Sequence, residues 1–232
     1  MLPPDLSAAL ESQLAGTGTR DIARASAELS DWYRSGRPQG SFRLTQLHRL
    51  AYAVVRMPAT FASVSAVLEE LRGRLPEILF HTQLDLCAGP ATAAWAAATL
   101  FPELQSMTLL EADPGFIDLG RQLAVQAGHP ALHEARWQQA DLSGAVALAP
   151  HDLVTLSYGL GELPAPARGR LIDAAWNAAR RALVIIEPGT PAGYATVLNA
   201  RSRLIELQAP IAAPCPHNDP CPLAGTGRWC HF

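Results

Sequence analysis

Lysine is missing from this chain: all 18 basic residues among its 232 are arginines. Arginine forks suit phosphate recognition, yet a chain wholly without lysine more readily reflects genomic base composition, so the absence assigns no nucleic-acid surface by itself. Long apolar runs are missing too. No uncharged stretch approaches bilayer-spanning length, and the amino terminus, with Asp5 and Glu11 in a helical pattern, lacks the basic region and apolar core of a leader. The expectation is a cytoplasmic protein with no membrane partner. Cysteine is scarce, with four residues, and no two of them pair up in the body of the chain. In a reducing compartment such thiols are free, metal-bound or cluster-bound rather than disulfide-bonded.

What is present is enough apolar material for a full core. A hydrophobic content of 49% with 17% charged residues excludes a disordered tail or a fibre. The net charge of −3 gives no global attraction to nucleic acid, although residues 1–74 hold nine arginines against seven carboxylates and the remainder nine against fourteen. From Pro4 to about Pro76 apolar positions recur at helical spacing, as in Leu47, Leu50, Val54 and Val55, then Val64, Val67, Leu68 and Leu71. Gly36, Pro38 and Gly40 interrupt this pattern, and Pro58 marks another break.

Beyond His81 short apolar runs alternate with longer amphipathic stretches. Gln83 to Cys87, Met107 to Glu111, Leu132 to Gln138, Leu153 to Ser157 and Leu183 to Glu187 read as strands, with helices beginning near Ala91, Pro114, Pro164 and Thr190. Such alternation predicts an α/β, Rossmann-like, mostly parallel sheet with helices on both faces. The expected organisation is a helical N-terminal layer (1–78), a Rossmann-like domain (79–208) and a Cys-rich C-terminal extension (209–232).

Candidate chemistry begins where the first strand ends. Asp85-Leu86-Cys87-Ala88-Gly89-Pro90-Ala91 places a turn of small residues between strand and helix, where a cofactor can approach the backbone and meet free helix amides. An ordinary strand-to-helix turn has the same look. Glu111 ends the second strand roughly twenty residues on, where a ribose diol needs an acceptor. After the third strand, Asp141 is either an acceptor for an adenine amino group or a helix cap. Tyr158 and Glu162 leave the fourth strand beside this site, one able to stack on a base and the other to accept a proton; rim packing and a surface charge are their plainer readings.

The last cysteines form a second constellation. Cys215-Pro216, Cys221-Pro222 and Cys230 follow a Cys-x5-Cys-x8-Cys spacing on backbone too rich in proline to be helical. This departs from the paired Cys-x-x-Cys of most zinc ribbons, and proline after cysteine is a feature of cluster-binding loops. An iron-sulfur cluster, a zinc ion held by three cysteines and a histidine, and unliganded thiols are the three readings.

The loop at Asp85 to Ala91 makes the chain resemble class I S-adenosylmethionine-dependent methyltransferases. The resemblance narrows with Tyr158-Gly159-Leu160-Gly161-Glu162-Leu163, Glu187-Pro188-Gly189-Thr190-Pro191-Ala192-Gly193, Ala213-Pro214-Cys215-Pro216-His217, Cys221-Pro222-Leu223 and Trp229-Cys230-His231-Phe232. Together these resemble the mitochondrial small-ribosomal-subunit assembly family of methyltransferase-like proteins and its bacterial homologues. The resemblance covers most of the chain. It implies a protein acting on the small ribosomal subunit or its rRNA. It also implies S-adenosyl-L-methionine held by Asp85, Cys87, Ala88, Gly89, Pro90, Glu111 and Asp141, and a [4Fe-4S] cluster on Cys215, Cys221 and Cys230. The family's fourth cysteine lies further downstream than Phe232, which leaves His217, His231 and Cys87 as candidates within this chain. Two departures stand out: Cys87 and Ala91 occupy positions where the methyltransferase loop carries glycine, and no Asn-Pro-Pro-Tyr segment or pyrimidine-attacking cysteine follows the fourth strand. Two function classes follow, an rRNA methyltransferase and a non-catalytic assembly factor built on the same scaffold.

Overall fold

The computed structural model describes residues 1–35 and 42–230. Four helices come first: α1 (Pro4–Leu14), α2 (Thr19–Arg34), α3 (Gln46–Val55) and α4 (Met57–Arg74). Strand and helix then alternate through β1 (Thr82–Leu86), α5 (Thr92–Leu100), β2 (Ser106–Glu111), α6 (Pro114–Ala124), the short α7 (Pro130–His133), β3 (Arg136–Gln139) and β4 (His151–Ser157). A 3-10 turn at Leu160–Glu162, α8 (Ala165–Ala178), β5 (Ala179–Ile186) and α9 (Pro191–Glu206) complete the elements. The expected interruption at Gly36, Pro38 and Gly40 lies outside the described residues. Pro58 sits in the first turn of α4, where a missing amide costs nothing. No single helix among the described residues is long and apolar enough to cross a membrane.

The five strands pair in the order β3-β2-β1-β4-β5, and every neighbouring pair is parallel. Both faces are covered, which is why β1 and β4 are buried along nearly their whole length, Gln83, Asp85 and Thr155 included. On one face Leu84, Leu86, Leu110, Val154 and Leu156 pack against Leu171, Ile172, Ala175 and Ala200 of α8 and α9. On the other, Leu109, Leu153 and Val184 share one core with Trp95 and Phe101 and with Leu6, Met57, Phe61 and Leu68 from the N-terminal helices. Helix α5 lies between sheet and α4. It is apolar all round, and its alanines permit the close approach that this sandwiched position requires.

Two strands start several residues from where expected: β5 begins at Ala179, four residues before Leu183, and the third strand changes more. The run from Leu132 to Gln138 divides into a helical turn ending at His133 and a strand beginning only at Arg136. Pro130 in the first turn and the His129 Nδ1, which accepts from the Ala131 amide at 3.2 Å, start a helix that buries Ala131 and Leu132. The strand β3 then sits at the sheet edge, where Arg136, Gln138 and Gln139 are exposed and no apolar alternation is needed.

Candidate functional site

The strand order reverses between β1 and β4, and ligands of open α/β sheets bind beyond the carboxyl ends of the strands at such a switch point. Here the two strand exits part company. The Ala88 amide donates to the Leu110 carbonyl of β2 at 3.0 Å, whereas the Tyr158 amide donates to the Ile186 carbonyl of β5 at 2.7 Å. The exits therefore diverge at the switch point, the position of the ligand crevice in such sheets.

The loop in front of this crevice keeps a glycine-type backbone without the glycines. Cys87, Gly89 and Ala91 have φ of 57°, 54° and 71°. For Cys87 and Ala91 the left-handed conformation costs about 1–2 kcal/mol each, a strain that only a well-packed surrounding sustains. Ala88, Pro90 and Ala91 are buried and anchor the loop from within. Above Gly89 there is open space: a Cβ built there meets nothing within 4 Å, so a ligand can reach the backbone at this point.

Glu111, at the end of β2, grips that loop. Its Oε2 accepts from the Gly89 amide at 2.8 Å and its Oε1 from the Asp113 amide at 2.9 Å. Burial raises its carboxyl above the ordinary range, against the pull of these amides. Each oxygen retains a lone pair for a diol. Asp141 stands beyond β3, fully exposed, where its Oδ1 accepts from the Ser143 amide at 2.9 Å and is thereby held low. No helix follows it, so its cap serves a turn rather than a helix terminus.

Asp85 lies beneath the loop rather than on its open side. It is fully buried and accepts from the Thr155 hydroxyl at 2.7 Å; that hydroxyl in turn accepts from Gln83 Nε2 at 3.0 Å. Desolvation pushes Asp85 up to about 7, with the Thr155 hydrogen bond opposing it. Asp85 therefore supports the loop through β1 and β4 and presents no oxygen to solvent.

Cys87 points across the crevice. A Cβ added to Gly159 would come within 2.6 Å of the Cys87 sulfur, so the thiol rests directly on the Gly159 backbone. Burial drives this thiol well above its ordinary range, and the carboxylates of Glu111, Glu162, Asp85 and Glu187 add to the effect. Glu187 is fixed by the Gly161 amide, which donates to its Oε1 at 3.1 Å, and Thr190 caps α9 through the Gly193 amide at 3.1 Å. Tyr158, itself at φ 59°, packs its ring on the core, and Glu162 lies exposed on the Leu160–Glu162 turn. Glu111, Glu187 and Glu162 thus border this side of the switch point with carboxyl groups, a setting better suited to a cationic centre than to a phosphate.

A contact that sequence reasoning missed ties the helical layer to this site. Arg49 of α3 forms a fork on Asp113, with Nε at 2.6 Å from Oδ1 and Nη2 at 2.7 Å from Oδ2, while Oδ1 also caps α6 by accepting from the Phe116 amide at 2.8 Å. The guanidinium lies over Gly115, where any side chain would collide with it. Burial raises Asp113, but the Arg49 bonds outweigh it and hold the carboxyl low. The Asp113-Pro114 pair is a legible helix start; its distant arginine has no local signature. Replacing Arg49 by Ala strips two charge-assisted bonds from a largely buried carboxylate and is expected to cost about 2–3 kcal/mol. Thermal unfolding checks this as a drop in Tm of roughly 4–10 °C, with Arg49→Lys recovering only part of it because an ammonium has no fork.

The cysteine segment lies along α9. Arg201 donates to the His217 carbonyl at 2.5 Å, the Trp229 indole to the Gly189 carbonyl at 3.3 Å, and the Tyr194 hydroxyl meets Cys221 Sγ at 3.4 Å. Burial raises Cys230, and the neighbouring thiols of Cys215 and Cys221 add to the effect. Among the described residues no three His, Cys, Asp or Glu side chains gather closely enough to hold a single metal ion. His231 lies outside the described residues, and Cys87 is committed to the crevice at the switch point.

A parallel sheet in this order, with a small-residue loop after β1 and an acidic residue closing β2, defines a class I methyltransferase fold. An O-methyltransferase family protein from Burkholderia thailandensis shares it, with a TM-score of 0.56 at 18% identity over 73% of this chain and 55% of the other. Within that class the chain belongs to the Rsm22 family, described as mitochondrial small ribosomal subunit Rsm22, which it matches over residues 46–232. The human mitochondrial ribosome assembly protein METTL17 is 28% identical over 198 residues, covering 79% of this chain and 42% of the relative. The mitochondrial Rsm22-cox11 tandem protein 2 of Schizosaccharomyces pombe is 26% identical over 201 residues, covering 78% and 26%. The chain thus spans less than half the length of these curated relatives.

Proposed function

We propose that this chain is an S-adenosylmethionine-binding factor that acts on the small ribosomal subunit or its rRNA during assembly. The observation that carries this reading is the pairing of Glu111 with the open Gly89 backbone in a chain of the Rsm22 family. Glu111 would hold the ribose hydroxyls, the Gly89 turn would take the close backbone approach, and Asp141 stands on the adenine side. The bound donor supplies an electrophilic methyl group on a sulfonium. Calorimetric titration tests the reading: micromolar binding is expected for the native chain, with Glu111→Ala weakening it roughly 10- to 100-fold, the worth of a charged hydrogen bond. Absence of binding by the folded native protein would overturn it.

A second reading, an assembly factor that performs no transfer, is favoured by one feature, the Cys87 side chain standing at a glycine position in the loop. Co-sedimentation with small subunits belongs to both readings, whereas a methyl group delivered to rRNA from labelled donor belongs only to the first.

We assign Cys215, Cys221 and Cys230 to an iron-sulfur cluster, with zinc as the alternative. The Cys-x5-Cys-x8-Cys spacing departs from the paired Cys-x-x-Cys of most zinc ribbons, and proline after the first two cysteines suits a cluster-binding loop. The role is to order a proline-rich segment with little apolar surface. Protein purified without oxygen is expected to contain iron and acid-labile sulfide; a colourless, zinc-loaded sample would sink the assignment.

A further inference from the structure

We infer that the Cys87 side chain plugs the methionyl end of the donor site, so that the native chain grips the nucleoside half of S-adenosylmethionine and little of the rest. This rests on the donor site proposed above. With ribose on Glu111 at the end of β2 and adenine toward Asp141 beyond β3, the order β3-β2-β1-β4-β5 carries the remaining arm over β1 to the crevice between β1 and β4. That crevice is where the exits diverge, Ala88 bonding to β2 and Tyr158 to β5. It is also where Cys87 lies: its sulfur seats on the Gly159 backbone, with so little clearance that a Cβ there would be 2.6 Å away.

The backbone around the plug is already of glycine type. At φ 57° Cys87 occupies a conformation that glycine adopts freely, so removing its side chain leaves the loop path unchanged and relieves strain. The carboxylates of Glu111, Glu162 and Glu187, which act on the thiol, would then border a vacated slot suited to a sulfonium and its amino group. Cys87 in this reading sets specificity by occupying space and takes no part in chemistry. Packed interiors have no spare room for a ligand atom where a sulfur already sits.

The test compares adenosine with S-adenosylmethionine by calorimetry on the full chain, in the native protein and in Cys87→Gly and Cys87→Ser. The native protein and Cys87→Ser are expected to bind the two ligands within about threefold of each other. Cys87→Gly is expected to bind S-adenosylmethionine about tenfold or more tighter than the native chain does, with adenosine unchanged. A native protein that already prefers S-adenosylmethionine tenfold or more, or a Cys87→Gly variant whose preference does not move, would overturn the plug while leaving the donor site standing. Binding of neither ligand by either folded protein would remove the donor site and the plug with it.

Discussion

Asp85→Asn is expected to make the protein more stable than its parent at pH 8 and nearly equal to it below pH 4. The carboxyl is fully buried and its folded pKa is raised from 3.8 to about 7, while the unfolded chain titrates near the lower value. Between those values the folded state binds more protons than the unfolded one, so stability falls as pH rises and levels off above the folded pKa. From pH 5 to pH 8 the native chain should lose roughly 2–3 kcal/mol that an uncharged isostere does not, at about 1.36 kcal/mol per pKa unit. Asparagine keeps an oxygen for the Thr155 hydroxyl, so the bond beneath the loop survives the exchange. The shifts of Glu111 and Glu187 come chiefly from their own burial, so most of their contribution is common to both proteins and drops out of the difference. Urea unfolding at pH 5 and pH 8 measures it, and parallel losses in the two proteins would show that Asp85 titrates as an ordinary carboxylate.

That prediction turns on a partner no local pattern announces. The parallel sheet, the loop after β1 and the acid ending β2 were legible because each is a local signal: apolar runs, small residues at a strand exit, a carboxylate at a set distance. The edge strand was misplaced by several residues because β3 has only four residues and little to bury, leaving periodicity nothing to report. Thr155 reads as one more β-branched strand residue, yet it sits opposite Asp85 in the β1–β4 register and bridges it to Gln83. Arg49 was one arginine among several in a helical layer until α3 docked on the start of α6. Such contacts depend on which elements become neighbours, and sequence spacing carries no information on that before topology is known.

The loop glycines show the same limit from the other side. Cysteine and alanine tolerate left-handed angles less readily than the glycines they replace, yet Cys87 and Ala91 both adopt them. The packing of Ala88, Pro90 and Ala91 inside the core outweighs a local preference of about 1–2 kcal/mol per residue. Local strain of this size is sustained at sites where the backbone path itself matters. The path of the donor loop is thus preserved while its surface has changed.

Gly159→Ala should expose that change energetically. Gly159 has φ −116° and ψ −27°, which alanine accepts, so any cost of the substitution arises from contact and not from backbone strain. The added carbon would stand 2.6 Å from the Cys87 sulfur and nearer still to its Cβ, on strand exits tied down by the Ala88 and Tyr158 amides. Overpacking of this kind costs about 1–3 kcal/mol. Cys87→Gly alone should be close to neutral, since relief of left-handed strain, roughly 1 kcal/mol, offsets the lost burial of a small side chain. The double variant should therefore recover most of the stability lost in Gly159→Ala, giving a coupling energy of at least about 1 kcal/mol between two positions that touch only across the crevice. Denaturant midpoints of the four proteins close the cycle. Additive effects would mean that the thiol does not rest on Gly159, and that the crevice between β1 and β4 is already open to an arm of the donor.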